Sequence, residues 1–446
     1  MAGALLAVPI ALGVLPSAAA APSNPKADKG AAASAAAKQS TTTTTAGSRV
    51  VVSVVDSGIN PYHDFFQVET SSVTAEVLAE FGIPPERVVS LTRTGDPAAD
   101  YAADKARVWD TIERGKPYWF TGTNIIATSF DLTGRPILPN SPTDTHGVGV
   151  TASVLGANPE AVISFVEGIS SDSETFAFTH PAHDLITTSY GFPGSPPLGL
   201  HLEKSFQGVV GLGKIHTGAA DNSPALSPFD GTSGPWWALG IAGFQEGSTE
   251  GRQLLSGNVV DFVADFTQTL PYCDLCQSGG TRSVSGTSFA TPTSAGVVSQ
   301  VLLEARRAAG HVGGIVTEGV DSPLMVAGDA PLTNWQLRRA MEEAAYIPQA
   351  TDFKPGGGTF DLTSAPVVDA AAWAQTGWGA LTPDPEHGVV AEALAHLGVS
   401  GEPTRTKSAD YCAFNTAQFE ARKAYWDNAA LFSESNGTSE DPYLRC

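Results

Sequence analysis

Basic residues are in short supply: 25 Lys plus Arg stand against 46 Asp plus Glu in 446 residues, a formal net charge of −21. So acidic a surface repels phosphate backbones and excludes nucleic acid as an expected partner, while it favours solubility. Cysteine is scarce as well. The four are Cys273, Cys276, Cys412 and Cys446. The single Cys-x-x-Cys has no second copy, and no nearby His completes a ligand set, which counts against a zinc site. Long apolar runs are missing after the amino terminus. No later segment is apolar enough to span a bilayer and the tail is polar, so no membrane association is expected. There is no internal repeat.

Much that a folded enzyme needs is present. Apolar residues make up 42% of the chain, normal for a protein with a real core, and the length suits one large domain or two ordinary ones. Ala4 to Leu15 is an apolar run of signal-peptide length, and Ala18 and Ala20 fit a small-residue cleavage site after Ala20. No Lys or Arg precedes that run, so the start lies upstream or the export signal is weak. Residues 1–20 are read as a signal peptide, and the chain as secreted and extracellular. Residues 21–48 have the Ala/Ser/Thr composition of a linker. In an exported chain four cysteines suggest disulfides; Cys273 with Cys276 and Cys412 with Cys446 is the favoured pairing. Asn436-Gly437-Thr438 fits a glycosylation acceptor pattern but carries little weight.

Order begins at Arg49. Val50 to Val55 is a β-branched run ending in Asp56-Ser57-Gly58, the pattern of a buried parallel strand followed by a turn. Similar strands are expected at Ala161 to Val166, Leu185 to Ser189, Gly213 to Gly218, Trp237 to Gly243 and Val259 to Ala264. Helices are expected at Val73 to Phe81, Gly147 to Leu155, Thr291 to Ala309 and Asn334 to Ala345, the last with Asn334 as its cap. Strands alternating with helices predict an α/β fold: three layers, with a mainly parallel central sheet flanked by helices. The main domain is placed at 49–364, and 365–446 is read as a peripheral extension.

Three segments carry chemistry. Asp56 closes the first strand, His146 opens a small-residue helix in Asp144-Thr145-His146-Gly147, and Ser288 enters a helix in Gly286-Thr287-Ser288-Phe289-Ala290-Thr291-Pro292. Pro292 is read as part of that helix's first turn, where no intrahelical acceptor is needed. Acyl transfer needs a nucleophile, a base of near-neutral pKa and a group that orients the base. A serine hydroxyl, an imidazole and a buried carboxylate fill those roles. The carboxyl ends of parallel strands are where such groups meet a ligand. Each residue also has a plainer reading: Asp56 as a turn cap, Ser288 as a helix cap, and His180, His183, His201 and His216 as surface or hydrogen-bonded core histidines. His63 competes weakly with His146 as base.

The order Asp, His, Ser, with Asp-Ser-Gly, His-Gly and Gly-Thr-Ser-x-Ala-Thr-Pro, resembles the subtilisin-like serine peptidase family over roughly Val50 to Gly310. The resemblance implies Asp56 as carboxylate, His146 as general base and Ser288 as nucleophile. It implies Asn222, in Ala219-Ala220-Asp221-Asn222-Ser223-Pro224, as oxyanion donor, with Asp221 as its rival. It implies that Ser189, Tyr190 and Gly191 pair with an extended substrate, and it makes His63 a structural histidine. Asp221 and Pro224 stand where the family has glycines. The second histidine that commonly follows the general base is absent. About Thr70 to Pro142 is an insertion that could cover the cleft, and 22–48 is too short for a folded pro-domain. No cofactor or metal is expected. Structural calcium, frequent in the family, stays open because nothing here has the spacing of a dedicated calcium loop.

The reading that follows is a secreted serine endopeptidase, a monomer acting on protein or peptide substrates. Its alternatives are a peptide-binding protein that keeps the fold without catalysis, and a peptide ligase or cyclase using the same acyl-enzyme.

Overall fold

The computed structural model describes residues 48–191, 199–220, 222, 232–244, 252–255, 261–311, 313, 323–327, 330–346, 353–354, 379–409, 411–413, 416, 420 and 423. The expected signal peptide, all of the linker but Ser48, and Asp221, Pro224, Asn436 and Cys446 lie outside them.

The β-branched run forms strand β1 (Val51–Asp56), buried along its whole length. A strand covered on both faces has no reason to alternate polar and apolar residues. The other strands follow as β2 (Val88–Val89), β3 (Pro117–Phe120), β4 (Ile125–Ser129), β5 (Val162–Glu167), β6 (Leu185–Thr188), β7 (Ile215–Ala219), β8 (Leu239–Phe244), β9 (Arg252–Leu255) and β10 (Phe262–Asp265). Then come β11 (Thr267–Pro271), β12 (Thr281–Ser285), β13 (Pro323–Ala327), β14 (Ala330–Thr333), β15 (Phe353–Lys354) and β16 (Gly379–Ala380). The helices are α1 (Ala75–Glu80), α2 (Pro97–Lys105), α3 (His146–Ala157), α4 (Ser171–Thr179), α5 (Gly199–Phe206), α6 (Thr287–Ala309), α7 (Asn334–Ala344) and α8 (Val389–His396).

Twelve of the strands form one sheet, in the order β15-β9-β8-β7-β6-β1-β5-β4-β3-β2, with β10 beside β8 and β16 beside β10. The central pairs are parallel; β3 with β4 and β8 with β9 are antiparallel. Alternate residues of β1 face opposite layers. Val52 and Val54 pack with Val148 and Val150 of α3 and Val297, Val298 and Val301 of α6. Val51 packs with Val77 of α1, and Val55 with Ala177 and Phe178 of α4. The expected three-layer α/β architecture holds. Among the described residues no helix is long and apolar enough to cross a membrane.

The stretch expected as an insertion carries the helix expected at Val73 to Phe81 as α1, together with α2, β2, β3 and β4. Two expectations change. The described part of 365–446 is not peripheral: β16 pairs with β10, and Leu381, Val389 and Ala393 join the main core. Asn334 does not cap α7. Thr333 does, its hydroxyl accepting the Gln336 N–H, while Asn334 Nδ2 donates to the carbonyls of Val209 (3.0 Å) and Lys214 (2.9 Å).

Helix α6 is tied to the sheet at its far end. Arg306 donates to both oxygens of Asp184 at 2.9 and 2.6 Å, and to the Arg49 carbonyl at 2.7 Å. Asp184 also accepts the Val51 N–H at 2.8 Å, so the base of β1 and the end of α6 share one carboxylate.

Candidate active site

Asp56 lies at the carboxyl end of β1, 4% exposed. The Ser57 N–H donates to its Oδ1 at 2.8 Å. In the next layer α3 begins at His146, and His146 Nδ1 meets Asp56 Oδ1 at 3.0 Å and Oδ2 at 2.9 Å. Glycine makes this approach possible. A Cβ on Gly147 would come within 2.5 Å of the Gly58 carbonyl oxygen and 3.0 Å of Asp56 Cβ. A Cβ on Gly149 would meet the Tyr272 ring at 2.9 Å and the Phe289 ring at 3.0 Å.

Burial of the imidazole disfavours its cation, but the Asp56 carboxylate, with Asp144 adding, outweighs this and raises the His146 pKa above its ordinary value. With Nδ1 held by a carboxylate, the neutral ring keeps its proton on Nδ1 and leaves Nε2 as the basic nitrogen.

Hairpin β11–β12 delivers the chain to Gly286, whose φ of 151° and ψ of 158° belong to a region open essentially to glycine alone. Helix α6 then starts at Thr287, ahead of the expected Thr291, so Pro292 lies inside the helix and not in its first turn. Proline has no N–H to offer the carbonyl four residues back. That carbonyl belongs to Ser288, and the Ser189 hydroxyl donates to it instead at 2.9 Å. In return Ser288 Oγ donates to the Ser189 carbonyl at 3.2 Å. Among the described residues no hydrogen bond joins Ser288 Oγ to His146. Phe289 stands beside the imidazole, ring centroids 5.6 Å apart.

Asn222 is exposed and next to the same turn. Its Oδ1 accepts the Thr287 N–H at 2.8 Å and the Thr287 hydroxyl at 3.1 Å. An obligate N–H donor fixes which way the amide points, so Nδ2 is turned away from Thr287. Ser189 follows β6, which pairs with β1 in register Val55 to Thr188, and this places it beside Asp56. Tyr190 donates its hydroxyl to Glu174 Oε1 at 3.2 Å, and Gly191 is exposed. The structure thus brings Asp56, His146, Ser288, Asn222 and Ser189 to one end of the sheet.

The remaining histidines are elsewhere engaged. His63 Nδ1 accepts the Phe65 N–H at 3.1 Å and Nε2 meets the Gly279 carbonyl at 2.9 Å, which leaves no nitrogen for base work. His183 and His216 are fully buried, and burial holds both well below the ordinary imidazole pKa. His216 bridges the hydroxyls of Thr188 (2.8 Å) and Ser205 (2.9 Å). His201 pairs with Glu174 at 2.7 Å.

Cys273 and Cys276 are joined as a disulfide, and Cys412 is also disulfide-bonded. The expectation that no His stands near the Cys-x-x-Cys fails in space: the ligand atoms of His63, Cys273 and Cys276 all lie within 4.8 Å of one another. The set does not fit a metal. Its sulfurs are bonded to each other, and a metal on Nε2 would need a proton on Nδ1, where the Phe65 N–H already points.

Sequence reading missed two features that organise the site. One is the Ser189–Ser288 link, whose signal was a proline four residues after the serine. The other is Glu167, whose position is clear only once β5 is paired with β1.

No protein-family model matches the chain, and no curated protein matches it. Among solved structures it is similar to the prenylagaramide maturation protease PagA, at 16% identity over 80% of this chain and 95% of that one, with a TM-score of 0.43. It is similar to a lanthipeptide protease at 12% identity over 77% and 88%, with a TM-score of 0.42. Fervidolysin from Fervidobacterium pennivorans, a keratinolytic enzyme related to subtilisin, shares 15% identity over 80% of this chain and 43% of that one, with a TM-score of 0.42. At such identities the chemistry of the site has to be read from its own geometry.

Proposed function

We propose that this chain is a serine endopeptidase of the subtilisin-like type, released outside the cell and acting on protein or peptide substrates. The observation that carries the reading is the grip of both Asp56 oxygens on His146 Nδ1, at 3.0 and 2.9 Å, at the sheet end where Ser288 opens α6. A carboxylate so placed fixes the tautomer that leaves Nε2 to take a proton, and it stabilises the cation that results.

Ser288 Oγ leaves the Ser189 carbonyl, gives its proton to His146 Nε2 and attacks the scissile carbonyl. The proton then passes from His146 to the departing amine, and water resolves the acyl-enzyme by the same route in reverse. The Ser288 N–H, at the positive end of α6, and Asn222 Nδ2 receive the developing oxyanion. Residues 189–191 offer main-chain groups to an extended peptide. The Cys273–Cys276 disulfide is in keeping with an oxidising, extracellular setting.

The Ser288 hydroxyl turned toward Ser189 favours a second reading, a peptide-binding protein without catalysis. Labelling with a fluorophosphonate separates the two, with Ser288→Ala as control. Covalent label on Ser288 and casein hydrolysis lost in the alanine variant support the peptidase. Absence of label, or hydrolysis unchanged in Ser288→Ala, removes it. Product analysis with an amine acceptor distinguishes hydrolysis from ligation or cyclisation.

A further inference from the structure

Glu167 closes β5 and is 2% exposed. Its register partner on β1 is Asp56, and the Gly168 N–H donates to the Asp56 carbonyl at 2.9 Å. A second carboxyl group therefore sits beside the one that holds His146, and the peptidase mechanism gives it no part.

It grips a strained residue. Glu167 Oε2 accepts the Ile137 N–H at 2.6 Å. Ile137 is fully buried with φ of 71°, the one non-glycine residue of positive φ among the described residues. A β-branched side chain rarely adopts that conformation, and it persists only where the surroundings hold it. The Ile137 carbonyl in turn accepts the Ile59 N–H at 2.8 Å. Gly58 packs so closely on the following residues that a Cβ there would sit 2.7 Å from Pro139 N. The Gly58 carbonyl is the group that a Cβ on Gly147 would meet at 2.5 Å. A continuous line of contacts runs from Glu167 through Ile137, Ile59 and Gly58 to Gly147, and the Asp56–His146 pair lies along it.

We propose that Glu167 is a positioning residue for that pair: its buried carboxyl pins the Ile137 turn, and the turn holds the Asp56 loop against the start of α3. Burial pushes the carboxyl up to about 8 and keeps it neutral, against the pull of the Ile137 N–H that it accepts. Two acidic groups add to the push, Asp131 after β4 and Asp144 ahead of α3; Asp56 stands on the neighbouring strand. Ionising Glu167 would put another negative charge among them. The catalytic consequence rests on the peptidase reading; the structural one does not.

The test compares Glu167→Gln and Glu167→Ala with the unaltered chain, using a fluorogenic peptide across neutral and alkaline pH. Glutamine reproduces a neutral carboxyl, so kcat and KM stay near the parent values at neutral pH, and the parent's fall in kcat as pH rises through about 8 disappears. Alanine releases the turn and lowers kcat about tenfold or more, with KM within about twofold, because misplacing catalytic groups costs turnover. Parent-like kcat in Glu167→Ala, or equal losses in both variants, overturns the proposal.

A second arm needs no activity. A carboxyl with a raised pKa stabilises the fold fully below its ordinary range and loses that contribution as pH climbs through about 8. The thermal midpoint of the parent therefore declines across that window, and Glu167→Gln flattens the slope. Equal slopes sink the assignment even if no peptide is cleaved, and they decide the matter if the alanine variant does not fold. A parent that neither cleaves peptide nor takes fluorophosphonate defeats the peptidase reading alone.

Discussion

Asp184→Ala is the most direct probe of how the helix that carries Ser288 is anchored. Asp184 and Arg306 are 2% and 0% exposed at their side chains. Two guanidinium contacts of 2.9 and 2.6 Å and one Val51 N–H contact of 2.8 Å converge on the carboxylate. Removing the carboxylate takes from a buried guanidinium the ion-pair partner that meets it at 2.9 and 2.6 Å, and breaking a buried pair from one side costs about 3–5 kcal/mol. The lost Val51 hydrogen bond adds about 1 kcal/mol. That is a large share of a total stability of about 5–15 kcal/mol. Urea unfolding followed by circular dichroism reads the loss as a lower midpoint with an unchanged slope. The double variant Asp184→Ala with Arg306→Met recovers most of it, because the guanidinium is removed together with the carboxylate it pairs with. A single-variant loss below about 1 kcal/mol, or a double variant no better than the single, would refute the reasoning. The rate of fluorophosphonate labelling per folded molecule stays at the parent value, since Ser288 and Arg306 are separated along α6 by about 27 Å.

Two further predictions concern the chemistry. Asn222→Ala lowers kcat by about 10²–10³ with little change in KM, the usual cost of losing one oxyanion donor; an equal loss in Asp221→Ala with none in Asn222→Ala would transfer the role to Asp221. As the proposed general base His146 must be neutral to work, and although burial opposes the cation, Asp56 raises its pKa above the ordinary value. kcat/KM therefore rises with pH through a midpoint above the ordinary imidazole value of about 6.5, and Asp56→Asn moves that midpoint down. A parent midpoint below the ordinary value would contradict the geometry.

The β-branched run before Asp56 and the small-residue run after His146 were legible because their burial leaves its mark residue by residue. The lone carboxylate, imidazole and hydroxyl were legible because each sat next to a recognisable turn. What resisted was whatever depended on partners distant in sequence. Val88 and Val89 are too short a strand to show a period, and they are held by pairing with Trp119 and Phe120. Gly379 and Ala380 become a strand only because Phe262 and Val263 lie alongside. Asn334 reads as a cap by type, yet Thr333 takes that role because the Gln336 side chain returns to the Thr333 N–H, and Asn334 is drawn off by the carbonyls of Val209 and Lys214. His63 was separated from Cys273 by more than two hundred positions (216 to its Gly279 contact) and meets it only through the folded hairpin.

A proline in the second turn of a helix is ordinarily a defect, a rung missing from the ladder. Here the missing rung is filled from another element, so the backbone of Ser288 and the segment expected to receive a peptide close one ring of two hydrogen bonds. The two cannot drift apart independently. On the proposed peptidase reading, a peptide that aligns on residues 189–191 is gauged against Ser288 by a single hydroxyl, and when Ser288 Oγ departs to react, the Ser189 hydroxyl remains to keep that gauge.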